Sequence, residues 1–302
     1  MQVHLIDGTY ELFRAWFGAP QAQAHGREVG AVRSLVRSFA MMLGRPAQPR
    51  PAGERSRLPM THVGVAFDHV IESFRNDLFA GYKTGEGLPE GLVSQFELAE
   101  RASAALGLVV WPMVEFEADD AIATAAHRLA ADAAVERVLI TAVDKDLCQC
   151  VAGDRVVCWD RFKDQTLDEA GVIAKHGVPP ASIPDLLALV GDTADGIPGI
   201  AGWGKSSAAK LLTAYGHIPD IPDDPTAWTV APRGADRLAL ALRGSRAEVA
   251  LYRTLATLRI DCPIACDAAS LAWRGVNRPA LDAICDELGV ERASLRLAIA
   301  EA

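Results

Sequence analysis

Short β-branched, apolar runs alternate with helix-patterned segments through the first half of the chain, and this alternation leaves few folds open. The runs are "VHLID" (3–7), "HVGVAFD" (62–68), "LVVWPM" (108–113) and "RVLITAVD" (137–144), with "RVVCWD" (155–160) expected as an edge strand. Helical spacing falls between them at 29–43, around 92–106, and in "EADDAIATAAHRLAADAA" (117–134). Continuously apolar strands separated by helices specify an α/β fold, a mostly parallel sheet covered on both faces. "RPAQPRPAGERSRLP" (45–59) has the composition of a flexible loop. From about Thr166 the pattern becomes helices and turns only, which divides the chain into an α/β unit over 1–165 and a helical region over 166–302.

In open parallel sheets the working residues lie beyond the carboxyl ends of the strands. Asp7 closes the first run and Asp68 the second; Asp144 closes the fourth, with Asp146 two residues on. The third run leads to Glu117, Asp119 and Asp120 at a helix start. In "VGDTADG", Asp192 and Asp195 are spaced to share a face of a helix or turn. Any one of these acids is equally well explained as a helix cap. All of them at one edge are not. Clustered carboxylates repel and raise one another's pKa. A divalent cation removes that cost, and an all-oxygen ligand set suits Mg²⁺ or Mn²⁺. The cluster is large enough for two metals about 4 Å apart, the arrangement used for in-line attack on phosphodiesters.

Bulk properties bear on partners. A net charge of −9 and a pI near 5.3 argue against nucleic acid unless the acids are gathered in a metal site. Six cysteines are scattered without paired C-x-x-C spacing, so reduced, buried thiols are expected rather than zinc. No signal-peptide pattern opens the chain and no apolar run reaches the roughly 18 residues of a membrane span. A cytoplasmic location is expected, with no membrane partner.

Five blocks, in order, resemble the 5′-nuclease superfamily, and within it the bacterial 5′→3′ exonuclease/flap endonuclease. They are "LIDGTYELFRAW" (5–16), "VAFD…SFR…YK" (65–83), "FEADDAIA" (116–123), "TAVDKDLCQ" (141–149) and "GDTADGIPGIAGWG" (191–204). The resemblance implies a PIN-like nuclease domain followed by a helical DNA-binding region with a helix-3-turn-helix at about 184–216. It places the family's metal ligands on Asp7, Asp68, Glu117, Asp119, Asp120, Asp144, Asp146, Asp192 and Asp195, with two or three Mg²⁺ or Mn²⁺ ions. It implies hydrolysis of DNA at 5′ ends, flaps or nicks in replication and repair, with RNA primers as secondary substrates. Lys83 would reach the scissile phosphate, Arg75 would share its helical gateway, Tyr82 would stack on a base, and Arg14 would contact DNA. No polymerase-sized sequence follows, which fits the free-standing form; a monomer is expected. One departure is Glu86, where the family commonly has an arginine.

The last block raises a rival reading. Gly199, Gly204, Lys205 and Ser206 satisfy the G-x-x-x-x-G-K-[ST] rule of a P-loop. A Walker loop follows a buried strand, however, and here "GDTADGIP" precedes Gly199. A dinucleotide-binding Rossmann enzyme needs G-x-G-x-x-G after the first strand, which instead runs into "DGTYEL". The resemblance assigns the glycines to a DNA backbone. Gly199, Gly202 and Gly204 would allow close approach to phosphates or a bound K⁺, with Ser206 and Ser207 at a helix N-terminus and Lys205 and Lys210 on phosphates.

Overall fold

The computed structural model describes residues 1–43, 60–142 and 144–295, so the 45–59 segment expected as a loop lies outside the described residues. The chain runs β1 (Gln2–Asp7), α1 (Gly8–Gly18), a small hairpin of β2 (Gln23–Ala24) and β3 (Arg27–Glu28), and α2 (Gly30–Leu43). Next come β4 (Val63–Asp68), α3 (Phe74–Leu78), α4 (Glu90–Val93), α5 (Phe96–Ala105), β5 (Val109–Met113) and α6 (Ala118–Ala130). Then follow β6 (Arg137–Thr141), β7 (Val156–Asp160), β8 (Gln165–Leu167) and α7 (Glu169–His176). The helices α8 (Ile183–Val190), α9 (Lys205–Tyr215), α10 (Ala235–Gly244), α11 (Arg246–Ala256) and α12 (Arg278–Leu288) complete it.

The six-stranded sheet has the order β5-β4-β1-β6-β7-β8. All its pairs are parallel except β7 with β8. The chain leaves β1 toward β4 and β5 and returns on the other side with β6 and β7. The order therefore reverses between β1 and β6, and the crevice above that point is where open sheets bind ligands. Strand alternation splits the core in two. Val3 and Leu5 of β1, with Val138 and Ile140 of β6, face α6 and the C-terminal helices. Ile6, Val63, Val65 and Phe67 face α1, α2 and α5.

Several boundaries differ from the sequence expectation. β6 stops at Thr141, so Asp144 stands three residues beyond the strand. The 155–160 run is not the edge; β8 pairs outside it, antiparallel, in a stretch expected to be helices and turns only. The helix expected around 92–106 is two helices, because Gln95 turns its side chain inward to the Gly91 carbonyl and the Val32 amide. The helix expected over 117–134 ends at Ala130. At the far end, Leu281, Ile284 and Leu288 of α12 return to the core on the α2/α5 face.

Candidate active site

The acids converge on the crevice because each sits where its strand runs out. Asp7 ends β1 and caps α1, accepting the Tyr10 amide at 2.8 Å. Asp68 ends β4 and accepts the Ala118 amide at 2.8 Å, which ties that strand end to the start of α6. Asp119 stands in the first turn of α6. Asp144 is exposed and accepts the Asp146 amide at 3.0 Å. Asp192 accepts the Ala194 amide at 3.1 Å within the turn after α8.

Electrostatics show that these groups feel one another. Burial, with Asp68 and Asp144 nearby, pushes Asp7 up to about 8. Burial, then Asp7 and Asp144, raises Asp119 well above the usual carboxylate range. Burial raises Asp68, against the Lys83 ammonium and the Ala118 amide that pull the other way. Asp146 is likewise held far up by burial and by Asp144 and Asp195. Such a set is unstable as bare anions and asks for a cation.

The residues fit a divalent metal. One oxygen from each of Asp146, Asp192 and Asp195 can lie within 4.8 Å of the others. Asp146 Oδ1 is buried with no hydrogen-bond partner. The donors are all carboxylate oxygens, the chemistry of a hard cation. Two lysines balance part of this charge. Lys83 Nζ lies 2.7 Å from Glu117 Oε2 and 3.1 Å from Asp195 Oδ1, bridging the acids of α6 to those of the turn after α8. Burial works against its charge, yet Glu117, Asp195 and Asp68 hold its pKa well above the usual lysine value. For Asp195, burial is outweighed by Lys83, which keeps that carboxyl below its ordinary value. Lys145, not singled out from the sequence, pairs with Asp192 at 2.5 Å.

Three expectations need correction. Arg75 is 1% exposed and faces inward. It donates to both oxygens of Asp120 at 2.7 Å, to Glu117 at 3.1 Å, and to the Leu255 and Thr257 carbonyls at 2.8 and 3.2 Å. It has no face left for a phosphate. Asp120, fully buried, also accepts the Arg259 and Glu117 amides, so its oxygens are spent on holding α6 to α3 and α11. Tyr82 is 4% exposed with its hydroxyl 3.3 Å from Glu117, a wall of the site rather than a stacking platform. Eight acids thus remain at or beside the rim.

The glycine turn connects two helices, α8 and α9, with no strand before it, which removes the P-loop geometry. Gly199 (φ +69°) is a packing glycine, since a Cβ there would lie 2.4 Å from the Gly191 nitrogen. Gly202 (φ +85°) and Gly204 are exposed, with Ser206 beside them at the start of α9 and Ser207 half-buried. Lys205 and Lys210 sit on the exposed side of α9 and donate to the Lys175 and Ala231 carbonyls. Arg14 lies away from this turn, bonded to Glu11 at 3.0 Å and stacked on Phe162 at 3.9 Å. Glu86 is exposed in the loop after Lys83.

A family model for the 5′-3′ exonuclease N-terminal, resolvase-like domain matches residues 2–177. The chain belongs to the 5′-3′ exonuclease family. A second model of that family, the C-terminal SAM fold, matches residues 178–279. The chain is 35% identical over 92% of its length to DNA polymerase I of Rhizobium leguminosarum, and 32% identical over 94% to that of Mycobacterium leprae. It spans 26% and 30% of those two proteins. In fold it is similar to T5 5′-exonuclease with bound divalent zinc (TM-score 0.61, 18% identity, 99% of this chain and all of that one). It is similar also to the catalytic core of Rad2 in complex with DNA substrate (TM-score 0.60, 11% identity, 97% of this chain and 89% of that one). A mostly parallel sheet with a C-terminal helical domain is thus the family architecture. Among the described residues no helix is long and apolar enough to cross a membrane. All six cysteines are free.

Proposed function

We propose that the chain is a divalent-metal-dependent, structure-selective 5′ nuclease that hydrolyses DNA at 5′ ends, flaps and nicks, acting in the cytoplasm. One observation carries the reading: strand ends and turns from five parts of the chain bring carboxylates within reach of one another at the switch point of the sheet, with Lys83 paired to two of them. Asp7, Asp68, Asp119 and Asp144, with Asp146, Asp192 and Asp195, would hold Mg²⁺ or Mn²⁺; Glu117 would keep Lys83 in place. The bound metal supplies charge neutralisation and Lewis acidity at the scissile phosphate. Lys83 would meet that phosphate, because its ammonium, on a half-buried side chain, bridges Glu117 at the start of α6 and Asp195 in the turn after α8. The Gly202–Gly204 turn and the start of α9 would grip duplex backbone, directly or through K⁺. The fold neighbour Rad2, whose catalytic core is in complex with DNA substrate, is in keeping with this reading.

The test incubates the chain with Mg²⁺ or Mn²⁺ and end-labelled 5′-flap, nicked and single-stranded DNA. Metal-dependent cleavage near the flap base or 5′ end is expected. Intact DNA in every case would overturn the proposal.

A further inference from the structure

A cavity of about 700 Å³ opens beside Asp144, on the β7–β8 side of the sheet, while Lys83 follows β4 on the other side of β1. Ala142 and Leu167, with the buried Cys148 and Cys158, form its floor; Tyr10 of α1, Phe162 and Lys163 of the β7–β8 turn and Lys175 of α7 line it too. That volume is in the range of small-molecule sites, too large for a lone phosphate. Phe162 is pinned. The guanidinium carbons of Arg14 and Arg161 lie 3.9 and 4.0 Å from its ring centre, too close for both to share one face. Its two faces are therefore covered by cations, leaving an apolar edge in a positive setting. Arg161 is held there by Glu11, through two bonds of 2.6 Å.

The charges facing the cavity are unequally committed. Asp160 uses Oδ1 on the Phe162 and Lys163 amides at 3.0 and 3.1 Å, with Lys163 Nζ 3.5 Å from its other oxygen. Asp144 belongs to the rim. Lys175 is exposed, and among the described residues no acid lies within ion-pair distance of it. An aromatic wall, an apolar floor and an uncommitted ammonium together match a base, a sugar and a phosphate.

We propose that this cavity receives one unpaired nucleotide carrying a 5′-phosphate, its base against Tyr10 and its phosphate on Lys175. The inference rests on the nuclease reading, since Asp144 belongs to both the cavity and the rim. The ligand is a freed mononucleotide or the terminal nucleotide of a 5′-phosphorylated strand, which share this chemistry.

Calorimetric titration of dAMP into the full chain without divalent metal tests it. Saturable one-site binding is expected, weakened about tenfold by Lys175→Ala and about tenfold by Tyr10→Ala. Lys175 is an exposed helix residue, so its variant keeps the test sound if Tyr10→Ala disturbs α1. No saturable binding, or unchanged affinity in Lys175→Ala, overturns the proposal. A 5′-phosphorylated trinucleotide that binds as dAMP does identifies the strand end; binding of dAMP alone identifies the free product. Flap cleavage measured in parallel separates the two claims. Cleavage without dAMP binding removes the pocket and leaves the nuclease, whereas dAMP binding without cleavage does the reverse.

Discussion

Replacing Arg75 with alanine should unfold this protein at a lower temperature rather than disable it chemically. The side chain is 1% exposed and makes every polar contact inward. Its loss leaves Asp120, fully buried, without the guanidinium that meets both its oxygens at 2.7 Å. It also strips a donor from the Leu255 and Thr257 carbonyls. Removing one partner of a buried ion pair costs about 3–5 kcal/mol, because the other charge is stranded. For a chain of 302 residues that lowers the melting temperature by about 5–8 °C. Asp120→Ala in the same background removes the stranded charge, so the double variant should be less destabilised than the two single losses combined. Thermal melts by circular dichroism measure both, and cleavage well below the lowest midpoint should persist in Arg75→Ala. A melting temperature within about 1 °C of wild type, with cleavage abolished, would refute the buried role and restore a catalytic one.

Lys83→Ala should lower turnover more than affinity, because its ammonium sits at the acids rather than along a duplex groove; single-turnover kinetics with a DNA-affinity series would expose a purely affinity-based loss as contrary. Asp7, Asp68, Asp119 and Asp146 all have folded-state pKa values raised above the unfolded ones, so the folded state holds extra protons in that window. Without divalent metal, stability should therefore fall as pH rises from about 4 to about 8, and saturating Mg²⁺ or Mn²⁺ should flatten the slope; melts that rise steadily across that range in EDTA would contradict the coupling. The pair Lys205→Ala and Lys210→Ala should weaken DNA binding across sequences and reduce its salt slope by about one to two. An unchanged slope removes both lysines from the interface.

What could be read from the sequence depended on how local the cause was. β1 and β4 announce themselves by apolar runs that end in aspartate, so Asp7 and Asp68 were placed correctly at strand ends by pattern alone. Asp144 is harder, since β6 stops at Thr141 and the chain reaches the rim by a further turn. Arg75 is expected, from the resemblance, on the helical gateway beside Lys83. Its burial is imposed by α11, whose C-terminal carbonyls come from some 180 positions later in the chain. Gly199 reads as a phosphate cradle for a different reason: the backbone it must clear, at Val190 and Gly191, is near in sequence, but only the folded turn brings it close. The β2–β3 hairpin and the edge strand β8 are too short to show a period of two. Lys145 carried no pattern of its own, and only the fold sets it against Asp192.

The central claim is that the convergent carboxylates work by holding divalent metal on a DNA phosphodiester. Cleavage of an end-labelled 5′-flap substrate, by wild type and by Asp68→Ala and Asp144→Ala, measures this directly across a Mg²⁺ or Mn²⁺ titration. The account predicts metal-dependent cleavage by wild type that ends in excess EDTA, and no cleavage by either variant although both stay folded and bind DNA. Cleavage that survives EDTA, or that either variant performs at the wild-type rate, would contradict it.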